Sequence, residues 1–107
     1  MLNYQFAHFT SMKNRSRLEI FASILHFVAQ DREGLSLTRI MYLTYLSYTQ
    51  SRECLRDLVE NSMLVLDIDN KRYILTEKGH RLLHLVDELE KMLGFRRNSN
   101  EVIERYP

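Results

Sequence analysis

A single cysteine, Cys54, excludes an intrachain disulfide framework and suits a reducing cytoplasm. One proline and three glycines leave little material for long loops, so the chain is expected to be mostly helical. No apolar run approaches the roughly 20 residues needed to cross a bilayer. The opening MLNYQFAHFTSMKN lacks the basic-then-apolar order and the cleavage site of a signal peptide. Hydrophobic residues at 45% and charged residues at 27% match globular averages and argue against both disorder and a membrane protein. With 107 residues there is room for one domain with an arm or tail, not for two domains.

Signatures of catalysis are also missing. The chain has no Gly-rich phosphate loop, no Ser or Cys nucleophile beside a motif histidine, and no paired carboxylates placed for acid–base work. These absences speak against an enzyme, and no cofactor is expected. His80 and His84 stand four apart on one helical face, a spacing that can clamp a metal. No third ligand supports them and His26 is far off in sequence, so the pair reads as structural or exposed and no metal is expected. Cys54 reads as a small buried filler, with redox sensing as the alternative.

What is present is periodic. Residues 1–14 show no clear period; Tyr4, Phe6 and Phe9 suit an edge strand, a packed neighbour or a mobile arm. Ser16 with Glu19 forms a capping box. Leu18, Phe21, Ala22, Leu25 and Val28 then recur at helical spacing, widened by Ile20, Ile24 and Phe27, as far as Gln30. Gly34 turns the chain, and residues 35–37 are long enough only for a bridge strand. Residues 38–45 form a short second helix, offering Ile40, Met41, Leu43 and Tyr45 to the core.

Ser47 caps a third helix that stops near Asn61 and Ser62, where asparagine tolerates a left-handed cap. Two strands, residues 63–68 and 72–75, flank Asp69-Asn70-Lys71, a hairpin loop in which Asn and Asp accept positive φ. Thr76, Glu77 and Gly79 open a fourth helix. There Leu82, Leu85, Val86, Leu89, Met92 and Leu93 repeat at 3–4 spacing until Gly94 interrupts them.

This order, three helices, a hairpin and a further helix, describes a mainly α winged helix-turn-helix with a small β-hairpin and a C-terminal coiled-coil-like helix. With Tyr48, Ser51, Leu55, Leu58 and Val59 inward, helix three projects Thr49, Gln50, Arg52, Glu53 and Arg56 outward. Thr and Gln bond base edges, and Arg bonds guanine or phosphate. The bland alternative is a solvated face with local ion pairs. Lys71 and Arg72 at the hairpin suit phosphate or the minor groove, or simple solubility. Lys13, Arg15, Arg17 and Arg39 stand near the starts of helices one and two, where they can grip flanking phosphate.

Charge supports this only modestly. The chain carries a net +1; residues 13–39 are net basic and residues 80–93 slightly acidic. The helix-four stripe either packs back on the domain or pairs with a second chain. Its apolar residues exceed what a small winged core needs, which favours a dimer seam of Leu82, Leu85, Val86, Leu89, Met92 and Leu93.

The strings RSRLEI at 15–20, TRIMY at 38–42, LSY at 46–48 and YILTEKG at 73–79 resemble the small archaeal winged-helix DNA-binding proteins, chromatin-associated or regulatory, that carry a C-terminal dimerising helix. The resemblance covers about residues 15–93. It implies homodimers joined along helix four, and contacts to double-stranded DNA from Thr49, Gln50, Arg52 and Arg56 of helix three and Lys71 and Arg72 of the wing. The N-terminal extension and the Gly94 break depart from that family's compact start and longer coiled coil.

The expected organisation is an arm (1–14), a winged-helix DNA-binding domain (15–79), a dimerisation helix (80–93) and a tail (94–107). The expected function is transcriptional regulation by a cytoplasmic, nucleoid-associated homodimer. A winged-helix protein-interaction module without direct DNA contact is the alternative.

Overall fold

Three serine hydroxyls start the first three helices of the computed structural model, which describes residues 16–94. The arm before Arg15, Arg15 itself and the tail beyond Gly94 lie outside the described residues. Helix α1 (Arg17–Ala29) begins at Ser16, whose hydroxyl accepts the Glu19 amide hydrogen while its own amide donates to the Glu19 carboxylate. Helix α2 (Leu37–Thr44) begins at Ser36, which accepts from the Arg39 amide. Ser47 and Gln50 form a second reciprocal box at the start of α3 (Tyr48–Glu60). Each cap satisfies amides that a first helical turn leaves without partners and contributes about 1 kcal/mol.

Strands β1 (Leu64–Asp67) and β2 (Arg72–Leu75) pair antiparallel, Leu64 opposite Leu75 and Asp67 opposite Arg72. Leu35 adds the expected single bridge, exchanging both backbone bonds with Tyr73 at 3.0 and 2.8 Å. Because the Tyr73 amide and carbonyl face Leu35, the bonded β1–β2 pairs are Val65 with Ile74 and Asp67 with Arg72. The amides and carbonyls of Leu64 and Leu66 therefore face the outer edge of β1, where no strand lies among the described residues.

The core is assembled from the three helices and β1. Ile24, Leu25 and Val28 of α1, Ile40 of α2, Leu55 and Leu58 of α3 and Leu64 of β1 are each buried to 2% exposure or less. Removing such a side chain from water is worth about 1.5–3 kcal/mol. Cys54 is buried among them. Leu18, expected on the inner stripe, is 47% exposed.

Positive φ falls elsewhere than asparagine and aspartate preferences suggest. It occurs at Tyr45, Ser62 and Lys71, not at Asn61, Asp69 or Asn70. Asn61 instead turns its side-chain amide back onto the Asp57 carbonyl, which leaves Ser62 to make the turn. In the hairpin, Asp67 accepts from both the backbone and the side-chain amide of Asn70, which passes the left-handed step to Lys71. Gly34, at φ +86°, turns where expected, and a Cβ there would meet the Tyr73 carbonyl at 2.4 Å.

Helix α4 (Glu77–Leu93) is tied at its start to the end of α3. The Thr76 hydroxyl donates toward the carbonyls of Ser62 and Met63 and accepts from the Gly79 amide, while Lys78 Nζ reaches the Asn61 carbonyl at 3.0 Å. Gly79 permits the approach, since a Cβ at that position would lie 2.3 Å from the Met63 carbonyl oxygen. The described residues belong to two units, Ser16–His84 and the helical turns from Leu85 onward. In the latter, Leu85, Leu89, Met92 and Leu93 are exposed, Val86 is buried, and Lys91 pairs with Asp87 and Glu88.

Candidate nucleic-acid interface

Helix α3 has one buried face, formed by Ser51, Cys54, Leu55 and Leu58, and Thr49, Gln50, Arg52, Glu53 and Arg56 point to solvent as expected. Tyr48, expected inward, is 54% exposed. It stands roughly 70° from the centre of the buried face at 100° per residue. Cys54 fills the inner position instead.

The outward residues differ in what they have left to offer. The Gln50 side-chain oxygen accepts the Ser47 amide at 3.0 Å, so only its NH2 group remains for a ligand. Arg52 donates to the Tyr48 hydroxyl at 3.0 Å, with its guanidinium 5.7 Å from the ring centroid. That brace holds the Arg52 side chain along the helix while leaving most of its donors open. Thr49 and Arg56 are exposed.

Between α3 and the hairpin runs a groove of about 670 Å³, bordered by Tyr48, Arg52, Arg56 and Val59 on one side and Leu66 and Tyr73 on the other. Glu53 and Glu60 share its rim, so its charge is mixed.

The remaining expected contacts divide sharply. Lys71 is exposed at the hairpin tip. Arg72 is also exposed, but its guanidinium donates to the Gly34 carbonyl at 3.1 Å, joining the hairpin to the loop before α2. Arg17 pairs with Asp57 of α3 and lies 5.0 Å over the Phe21 ring. Arg39 is exposed, its guanidinium 5.7 Å over the Tyr42 ring. The hairpin tip carries Asp67 and Asp69 against Lys71 and Arg72. The Asn70 side-chain amide, then its backbone amide, hold the Asp67 carboxyl below its ordinary value.

Tyr45, expected in the core, is 80% exposed. Its left-handed backbone ends α2 and swings the side chain off the inner stripe, and Leu46 is buried in its place. Tyr42 is 70% exposed. Sequence reasoning passed over this outward tyrosine series; its signal was a regular spacing of three within a stretch free of acidic residues from Gly34 to Arg52.

His80 and His84 are both exposed on α4, and the described residues include no group of three or more His, Cys, Asp or Glu side chains able to hold a metal ion. None of the described helices is long and apolar enough to cross a membrane. No curated protein matches the chain. A winged helix-turn-helix family matches residues 14–94, the whole described length with its trihelical order, hairpin and following helix, and the chain belongs to that family.

Proposed function

We propose that the protein is a homodimeric regulator of transcription that binds double-stranded DNA, with α3 in the major groove and Lys71 of the hairpin on phosphate. The observation that carries this reading is the outer face of α3. Thr49, Arg52 and Arg56 stand together in solvent on a helix capped at one end and fastened to α4 at the other, in a member of the winged helix-turn-helix family. Arginine and threonine are the side chains that read base edges and phosphate.

The dimer would form along the exposed α4 residues Leu85, Leu89, Met92 and Leu93, with Leu82 half-buried at one end of the stripe. Two copies would then present two α3 helices to successive major grooves, about 34 Å apart.

Binding of a labelled random-sequence duplex, measured at several salt concentrations, tests the reading. Wild-type affinity should fall steeply with salt, and Arg52→Ala with Arg56→Ala should flatten the log–log slope by about 1–2. An unchanged slope would remove α3 as the reader. A protein-docking module is the second reading, favoured by the net charge of +1 and by the exposed Val65, Leu66 and Ile68 of the hairpin. It predicts no duplex binding at any salt concentration.

A further inference from the structure

Three tyrosines straddle the turn between α2 and α3 with their rings in solvent: Tyr42 at 70%, Tyr45 at 80% and Tyr48 at 54% exposure. Aromatic side chains of this size usually bury much of their surface, and an exposed run of them marks an interaction site. Tyr45 is the most informative. Its φ of 60° is a conformation that bulky side chains disfavour and glycine adopts freely. The buried Thr44 and Leu46 on either side fix the backbone there, and the Tyr45 ring is carried outward with no ring contact to another described side chain.

The outer two rings each carry a cation. Arg39 lies over Tyr42 and Arg52 over Tyr48, both at 5.7 Å from the ring centroid. Across these elements, from Gly34 to Arg52, the chain has no aspartate or glutamate. The patch therefore combines open π faces with guanidinium groups, and acidic side chains come only at its borders, as at Glu53 beside Arg52. That is the pairing of chemistries that binds single-stranded nucleic acid, rings for unpaired bases and arginines for the phosphates between them. A duplex has no use for the ring faces, because its bases are already stacked. A cage for a methylated amine would need rings closing on one another, and these rings make no mutual contact among the described residues.

We propose that Tyr42, Tyr45 and Tyr48, with Arg39 and Arg52, form a stacking platform for unpaired nucleobases. It goes beyond duplex reading by α3 and does not depend on it. The ligand class is a single-stranded polynucleotide bound without regard to sequence.

The test is fluorescence anisotropy of the full chain with a labelled oligothymidylate of about ten nucleotides and, separately, a blunt duplex of equal length. Wild type should bind the oligothymidylate. Tyr42→Ala with Tyr45→Ala should weaken that binding about 10–100-fold, while Tyr42→Phe with Tyr45→Phe should stay within about twofold, since phenylalanine keeps the stacking face. Duplex affinity should move less than about twofold in either variant. The chain has no tryptophan, so quenching of its tyrosine emission by oligothymidylate, but not by inorganic polyphosphate, gives a readout that needs no variant.

Absence of oligothymidylate binding overturns the platform and leaves duplex reading standing. Binding of oligothymidylate without duplex binding does the reverse. Phe variants as weak as the Ala variants, or equal losses on both probes, replace stacking by hydroxyl or phosphate contact and also overturn it.

Discussion

The Arg17 guanidinium pairs with the Asp57 carboxylate, forty residues away, and joins the first turn of α1 to the last turn of α3. An arginine at a helix start reads from sequence as a free phosphate ligand; here its charge is already answered. To reach DNA it must leave Asp57, and the partly exposed pair, at 62% and 36% side-chain exposure, is weak enough to let it go. Asp57→Asn should therefore raise duplex affinity about 2–5-fold while lowering stability by no more than about 1 kcal/mol. Paired titrations of duplex and denaturant would show both. Unchanged affinity would confine Arg17 to a structural role.

The two basic residues of the hairpin should separate in the same assay. Lys71 is exposed, so Lys71→Ala should weaken duplex binding evenly across sequences and reduce the salt slope by about 1. Arg72 donates to the Gly34 carbonyl, so Arg72→Ala should act on stability, by about 1 kcal/mol, with little change in the slope. The reverse result would mean that Arg72 swings outward when nucleic acid arrives.

Gly79 and Gly94 offer a controlled comparison. A Cβ at Gly79 would meet the Met63 carbonyl at 2.3 Å and the Leu75 side chain at 2.7 Å, so the start of α4 would have to shift. Gly79→Ala should cost about 1–3 kcal/mol, or roughly 5–20 °C in Tm. Gly94 has φ +82° with nothing within 4 Å, so Gly94→Ala should cost only backbone strain of about 1 kcal/mol. Calorimetry that found the two equal would contradict the close approach at Gly79.

Asp67 gives the hairpin loop an acid dependence of definite sign. Its folded-state value is depressed, first by the Asn70 side-chain amide and then by the Asn70 backbone amide. The bonded loop is therefore favoured above the ordinary aspartate value and loosens as pH falls through the depressed one. In an NMR titration the Asn70 amide should shift with a midpoint below that of aspartate in an unstructured peptide. Asp67→Asn should abolish the shift. A midpoint at or above the peptide's would contradict the assignment.

If α4 joins two copies, Leu89→Glu with Met92→Glu should yield a monomer by light scattering, because each places a carboxylate on the exposed apolar stripe. Duplex affinity should fall with it. A dimeric double variant would move the seam elsewhere.

Much of the architecture could be read directly from local chemistry. The capping box at Ser16 and Glu19, the cap at Ser47 and the threonine start of α4 depend on neighbours within a few residues, and all stand as expected. The outward set of α3 follows from periodicity in the same way.

What local patterns could not supply was set by tertiary distance. Nothing near Arg17 announces Asp57, and nothing near Arg72 announces the Gly34 carbonyl. Tyr45 and Tyr48 were misplaced because their alternation with core residues looks the same whether or not another element covers them. The left-handed step went to Lys71 because Asp67 captured Asn70 first, a competition between two side chains that residue preference does not rank.

The outer edge of β1 has a further consequence. Leu66 turns its amide and carbonyl outward beside the exposed Val65 and Ile68, while Leu64 is covered, and neither proline nor lysine guards that strand. Such an edge is a template for cross-chain aggregation. Its defence is brevity: in a four-residue strand with Leu64 covered, Leu66 alone offers outward backbone, too few bonds to hold a foreign chain unaided. Lengthening the hairpin by even one further pair would erode that protection, so the size of the wing is bounded by solubility as well as by fit to a ligand.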